Sequence, residues 1–483
     1  MAGSPPTERP SPGIGRSLGL MGSASLVAFA AGIVRQKLFA VYLGPSGLGL
    51  YGVLASLFEL LGVLVLLGVP AGLLREAAAS LARGKPGQVV DLVWRVRAVL
   101  MLVAGAFVAA AFLFGAEISQ RFDLPGAWIP ILTLGLPAVV LAATSEALLN
   151  AYGAIRRLAA SKVTTTVVSL AATAVLVVAM GLEGSLLQIV AGTWIAAGVT
   201  WVALRGVEGA AAPHGRAPGP TRGKGVLKAV FALGLAQIVM HGAANLNLFL
   251  FRSILVLGEG EVAAGLYQGT MGLSRQYTAA FSAALYVYAY PRLSQRTGEP
   301  GAVGRELADV FRFVMAVGIP VALVLLAGRD LLVALVFTSE FRPMVPLMAW
   351  SLAVDPFQIV VLVMAFAVLA TSSPAATVAL ALVFESAHLT AFIWGMSLWG
   401  VQGAVAAYGG AAAVGAMAYG GYLWRRGAIG PSTGVYGRML LGAILVGLAS
   451  QLPLTGVGRL LSVAAASGWL FVHRTEIRTA FRA

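Results

Sequence analysis

Residues 92–115 read LVWRVRAVLMLVAGAFVAAAFLFG, and no charge interrupts them after Arg97. A helix rises 1.5 Å per residue, so a run of this length crosses the ~30 Å hydrocarbon core of a bilayer. Hydrocarbon offers backbone N–H and C=O groups no outside partner, which leaves helix as the form such a run takes. Similar runs recur at 16–43, 47–69, 127–152, 161–181 and 186–205. A second group follows at 226–257, 261–290, 307–327, 346–370, 375–397 and 402–424, and a shorter pair at 437–452 and 456–472.

The rest of the composition agrees. Hydrophobic residues make up 59% of the 483 and charged residues 11%, against about 25% charged in soluble domains. So few charges cannot cover a water-facing surface. The expected fold is an all-α polytopic membrane protein. The 59 glycines suit helices packing closely in lipid, and Gly68/Gly72 and Gly265/Gly269 have the GxxxG spacing. With no cysteine, disulfides, thiolate metal sites and thiol redox chemistry are excluded. The chain has neither a GxxxxGK[ST] nor an HExxH motif, which argues against ATP as its energy source and against a zinc protease.

The net charge of +14 is distributed by topology. Loops on one side hold Arg83/Lys85, Arg156/Arg157/Lys162 and Arg425/Arg426; loops on the other hold acids such as Glu117, Glu183, Glu259 and Glu261. This positive-inside asymmetry predicts cytoplasmic N- and C-termini and an even number of spans. It also removes the reason to invoke nucleic acid. The expected organisation is a cytoplasmic tail at 1–15, a six-helix lobe at 16–205 and a basic, Pro- and Gly-rich linker at 206–225. A second six-helix lobe at 226–424, two additional helices within 437–472 and a tail at 473–483 complete it.

The two lobes repeat. Leu43-Gly44 followed by Gly49-Leu50-Tyr51 corresponds to Leu257-Gly258 followed by Gly265-Leu266-Tyr267. Arg35 pairs with Arg252, and Trp94-Arg95 with Phe311-Arg312. An even number of spans separates the copies, so the lobes share orientation, pseudo-symmetric about an axis along the membrane normal with a central cavity between them.

Charges inside spans are costly, and they mark pathways and sites. Arg275 lies mid-span and reads as an anion-contacting cavity residue, or else as half of a buried salt bridge. Arg35, Lys37 and Arg252 are nearer span ends, where snorkelling to the headgroups is the plain alternative. Glu59 is placed to neutralise Arg35 or Arg275, or to carry a proton. Asp355 and Gln358 lie one turn apart. Glu385 and His388 share a helix face, with a local hydrogen bond the simplest reading. Asn245 and Asn247 are expected to bond between helices, with Asn245 also within reach of a sugar. Tyr277, Tyr286, Tyr288 and Tyr290 outnumber what interface anchoring needs, and can stack on sugar rings.

The run Lys37-Leu38-Phe39-Ala40-Val41, followed by Gly44-Pro45-Ser46-Gly47-Leu48-Gly49-Leu50, resembles the first hairpin of Wzx-type flippases. These are O-antigen and enterobacterial-common-antigen translocases of the multidrug/oligosaccharidyl-lipid/polysaccharide exporter superfamily. Gln268-Gly269, Pro291-Arg292-Leu293-Ser294, Arg329-Asp330 and Ala349-Trp350 continue the likeness in order. The resemblance implies a transporter, not an enzyme, that alternates between inward-open and outward-open states in the bacterial cytoplasmic membrane. Its substrate would be an undecaprenyl-pyrophosphate-linked oligosaccharide. Lys37, Arg75 and Arg252 match basic positions of the family, whereas Arg275 stands where its members tend to carry an acid.

With Arg35, these cations would meet the pyrophosphate, and Glu59, Asn245, Gln268 and Asp355 would line the cavity or couple transport. No cofactor is implied beyond H⁺ or Na⁺ coupling. Implied partners are the lipid-linked glycan, membrane lipids, a polysaccharide polymerase and a chain-length regulator. Three rivals remain open: a lipid II flippase, a cation-coupled drug antiporter, for which the cavity is too basic, and a membrane polymerase or ligase, for which no loop is large enough.

Overall fold

The computed structural model describes residues 14–120, 126–211, 223–295, 302–429, 433–452 and 456–474. Most of both expected tails and of the central linker fall outside those residues, as do the side chains of Tyr277, Tyr286, Tyr288 and Tyr290. The described residues are helical almost throughout: α1 (Ile14–Leu66), α2 (Val69–Ala82), α3 (Pro86–Gln120), α4 (Trp128–Thr133), α5 (Leu136–Ala151), α6 (Ile155–Ala211) and α7 (Gly223–Glu259). After these come α8 (Glu261–Gln295), α9 (Ala302–Ala327), α10 (Arg329–Val336), α11 (Met344–Thr371), α12 (Pro374–Arg425), α13 (Thr433–Ser450) and α14 (Gly456–Val472).

Three of these are too long for one crossing, and each reverses at a glycine. In α1 the reversal is at Gly44, with φ 63. A straight helix would hold Phe39 and Tyr51 about 18 Å apart, yet their ring centroids are 4.5 Å apart. In α6 it is Gly181, with φ 56, and a β-carbon on Gly184 would overlap the Leu176 carbonyl across the turn. In α12 it is Gly400, with φ 56; there His388 and Tyr408, twenty positions apart, bring their rings to 4.7 Å. The fourth such turn, between α7 and α8, is Gly260 with φ 88. Only glycine takes left-handed backbone angles without a side-chain penalty, so these residues set where the chain turns back.

Eight helices are long and apolar enough to cross a membrane, and the three hairpins raise them to eleven crossings. The more polar α8 and the shorter α13 and α14 are further candidates for crossings among the described residues. The chain is a multi-pass membrane protein. Its fourth crossing is broken at Leu134-Gly135 between α4 and α5, where the Leu134 carbonyl accepts a hydrogen bond from Trp194 Nε1 at 3.2 Å.

The repeat is carried by the turns, in a register that differs from the Leu-Gly pairing. Gly44 matches Gly260, not Gly258, which stays inside α7. That interval of 216 positions also relates Pro45 to Glu261 and Gly49 to Gly265. It places Arg252 opposite Gln36, between Arg35 and Lys37, so Arg35 is not its strict counterpart.

The last two helices pack on the second lobe. Trp469 Nε1 of α14 donates to the Met315 carbonyl of α9 at 3.2 Å. Arg329 Nη2 at the start of α10 donates to the Leu452 carbonyl at 3.1 Å, and Asp330 pairs with Arg459. Val457, Leu460, Phe471 and Val472 stay exposed on the outer face of α14, as suits a helix facing lipid.

Candidate functional site: the seam between the lobes and a polar cavity in the second lobe

The lobes meet where α1 and α2 pack against α7 and α8. Near Gly44 the contact is reciprocal. A β-carbon on Gly265 would overlap the Pro45 carbonyl oxygen, and one on Gly49 would overlap the Glu261 carbonyl oxygen. Deeper along the seam, glycines of one lobe receive glutamines of the other. Gln268 lies against Gly52, Gln36 against Gly272 and Gln276 against Gly32. At the far end the backbone of α7 at Gly234 presses on Gly68, and Val230 lies on Gly72. There Leu67, with φ 48, and Gly68, with φ 62, break the second crossing into α1 and α2. The seam is thus tight at both ends.

The predicted cations separate into three settings. Lys37, half-buried, donates from Nζ to the Phe337 carbonyl of the other lobe at 2.8 Å. Arg252 is 6% exposed and donates from Nη1 to the Gly52 carbonyl, again across the lobes, at 3.1 Å. Both lie about 10–12 Å from the nearby turns at 1.5 Å per residue, and each is satisfied by a neutral carbonyl instead of standing free in a cavity. Arg35 is half-buried and Arg275 exposed. Neither forms a salt bridge with Glu59 or any other acid among the described residues. Arg75 is exposed on α2, beyond the break at Gly68 and about 46 Å along the helix from Gly44. It sits away from the other four.

A polar cavity lies within the second lobe. It has a volume of about 200 Å³ and is lined by residues of α7, α8, α11 and α12. Asp355, 3% exposed, accepts from Ser274 Oγ at 2.8 Å. Glu385 Oε2 accepts from Asn247 Nδ2 at 2.7 Å, and the same amide reaches the Glu385 carbonyl at 2.8 Å. The expected Glu385–His388 bond gives way to this interhelical one, and His388 packs among Phe251 and Tyr408. Arg275 lines the same space, so an acid pair and a guanidinium share one enclosure. Asn245, by contrast, donates from Nδ2 to the His241 carbonyl of its own helix at 2.8 Å. No group of three or more metal-ligating acids or histidines occurs among the described residues.

Two polar features escape a reading by residue type. Arg97 of α3 donates from Nε to Thr144 Oγ1 and from Nη2 to Ser145 Oγ, both at 2.9 Å, tying α3 to α5 inside the first lobe. It belonged to the run whose apolar character decided the fold, and nothing in the run announces a partner 47 positions on. The second is a pocket of about 290 Å³ in the first lobe where Glu146 and Lys162 pair at 3.3 Å beside Thr165, Thr166 and Thr200. The charges were visible in the sequence; the hydroxyls were hidden by falling on two arms of one hairpin.

Residues 38–346 match the family described as polysaccharide biosynthesis protein. The chain is 25% identical over 357 residues to the lipid III flippase of Escherichia coli K12, covering 73% of this chain and 84% of that protein. The lipid III flippase of Shigella flexneri matches to the same extent. Among solved structures, the lipid II flippase MurJ in an inward closed conformation superposes with a TM-score of 0.71. It shares 14% identity and covers 96% of this chain and 100% of its own. An inward-facing multidrug resistance MATE family transporter of the MOP superfamily gives 0.70 at 10% identity, covering 88% and 98%. At such identities these likenesses speak for the fold, and the MurJ coverage is too complete to leave out α13 and α14. The family match runs from the first hairpin to the start of α11 and the fold is that of these transporters, so the chain belongs to the polysaccharide biosynthesis protein family.

Proposed function

We propose that this protein is a flippase that carries a lipid-linked oligosaccharide from the cytoplasmic to the outer leaflet of the bacterial cytoplasmic membrane by alternating access. The observation that carries the reading is the interlobe seam. Two like-oriented lobes meet through glycine backbones, and Gln36 and Gln276, the sequence neighbours of Arg35 and Arg275, lie in that seam; neither arginine is in a salt bridge among the described residues. A pyrophosphate leaving water needs cations in place of its hydration, and guanidinium groups suit phosphate oxygens through charge-assisted bonds. The lipid III flippase relatives point to the same substrate class, and an undecaprenyl-pyrophosphate glycan is its expected form. The basic loops support a Gly44 end that faces outward and termini in the cytoplasm.

The second-lobe cavity is the proposed coupling site. Asp355 accepts from Ser274 and Glu385 from Asn247, and these two carboxylates are the groups that would take up and release H⁺ or Na⁺. A polymerase and a chain-length regulator would act on the product once it faces outward.

Reconstitution with a fluorescent polyprenyl-pyrophosphate glycan tests the reading by measuring transfer between leaflets. Transfer should fall about tenfold or more in Arg35→Ala/Arg275→Ala, the loss expected for charged hydrogen bonds. Undiminished transfer in that variant would remove the cations from the mechanism. Efflux of cationic drugs without lipid movement would favour the antiporter branch, and movement of lipid II alone would change the substrate but not the class.

A further inference from the structure

The lobes are fastened near the outer end by two cations, each donating to a backbone carbonyl and neither in a salt bridge among the described residues. Lys37 reaches from the first lobe to the Phe337 carbonyl, and Arg252 reaches from the second lobe to the Gly52 carbonyl. The two bonds run in opposite senses across the seam, one from each lobe, at similar depth below Gly44 and Gly260. Beside them the seam itself is backbone on backbone at Pro45–Gly265 and Glu261–Gly49.

We propose that Lys37 and Arg252 are the latch of the outer gate, positioning residues that keep the lobes together until an anion enters between them. The acceptor chemistry is the reason. A carbonyl satisfies a buried cation's N–H without cancelling its charge, so each cation keeps an attraction for any anion that comes within reach. A phosphate oxygen is a stronger acceptor than a neutral carbonyl, since donor and acceptor are then both charged. Had the partners been carboxylates, a substrate anion would have had to displace a full ion pair. An anion that binds the open form better than the closed one shifts the population toward it. The latch rests on the transport reading above only for the identity of that anion.

The chain has no cysteine, so spin labels at Tyr42→Cys and Val262→Cys, both exposed beside the seam, report the gate alone. Electron–electron distance measurements would be made on the full chain in lipid nanodiscs. The parent should show a predominantly short distance. Lys37→Met/Arg252→Gln should raise the open-to-closed ratio about tenfold without any ligand, the effect expected for lost charged hydrogen bonds. Arg252→Lys, which keeps a donor, should stay short, and Gly49→Val should open the gate with the latch intact, which calibrates the labels. Undecaprenyl pyrophosphate should lengthen the distance in the parent and add nothing in the double variant, and inorganic pyrophosphate alone separates the headgroup's effect from the lipid's.

A double variant that keeps the parent's distances while Gly49→Val widens them overturns the latch. A double variant that opens, in a protein whose parent ignores both pyrophosphates, upholds the latch and removes pyrophosphate as the anion.

Discussion

Asn247 shows how much a single side chain holds in the second lobe. Its amide nitrogen donates to both the carboxylate and the backbone carbonyl of Glu385, joining α7 to α12. Asn247→Leu keeps the volume and removes the donor, leaving a buried acceptor unsatisfied. The expected cost is about 1–3 kcal/mol, read as a lowered thermal unfolding midpoint in detergent; an unchanged midpoint would mean that water replaces the amide. The sequence marks this residue as polar within a span, and so as functional or structural. It cannot mark the partner, which lies 138 positions away. The same limit explains Arg252, whose acceptor, the Gly52 carbonyl, is a backbone group that no residue type signals. The spans and the charges within them were legible because hydrophobic runs and residue types are local properties. The neighbours of those charges are not local.

At the scale of elements, the tight hairpins matter most. In α12 the two arms approach so closely at Gly395 and Gly403 that a β-carbon on either would overlap the other's carbonyl. Gly403→Val should therefore push the arms apart and disturb His388 and Tyr408 at the cavity wall. We expect a loss of several degrees in unfolding midpoint together with weakened ion-dependence of transport, whereas the same change at Gly447, where a β-carbon has open space, should leave both intact. Turn positions were only partly legible. The stretch Leu257-Gly258-Glu259-Gly260-Glu261 offers two glycines, and either can host a left-handed turn. The helix runs through the first and turns at the second, which shifts the repeat's register by two.

Across the whole molecule, orientation and the final helices make separate predictions. Single cysteines at Lys85 and at Glu259, introduced into this cysteine-free chain, should react with an impermeant maleimide from opposite sides, Glu259→Cys from outside intact cells and Lys85→Cys only after lysis. Labelling of both from one side would refute an odd number of crossings between them. Removing residues 433–483 takes away Trp469 from Met315 and the Leu452 carbonyl from Arg329. That should lower stability while the interlobe distance between Tyr42→Cys and Val262→Cys stays unchanged, since neither helix reaches the seam. A widened distance would give the last two helices a part in gating that their packing does not suggest.

The contact at Pro45–Gly265 and Glu261–Gly49 is one contact made twice, with the roles of the lobes exchanged. That is the geometry of a two-fold dimer, in which the same patch on each subunit meets its own copy. A protein of half this length, with one such hairpin, would already carry a surface complementary to itself. The present chain carries two such surfaces in a single polypeptide. The copies are not identical: the first lobe offers Lys37 and the second Arg252, and the acid-lined cavity around Asp355 and Glu385 belongs to the second.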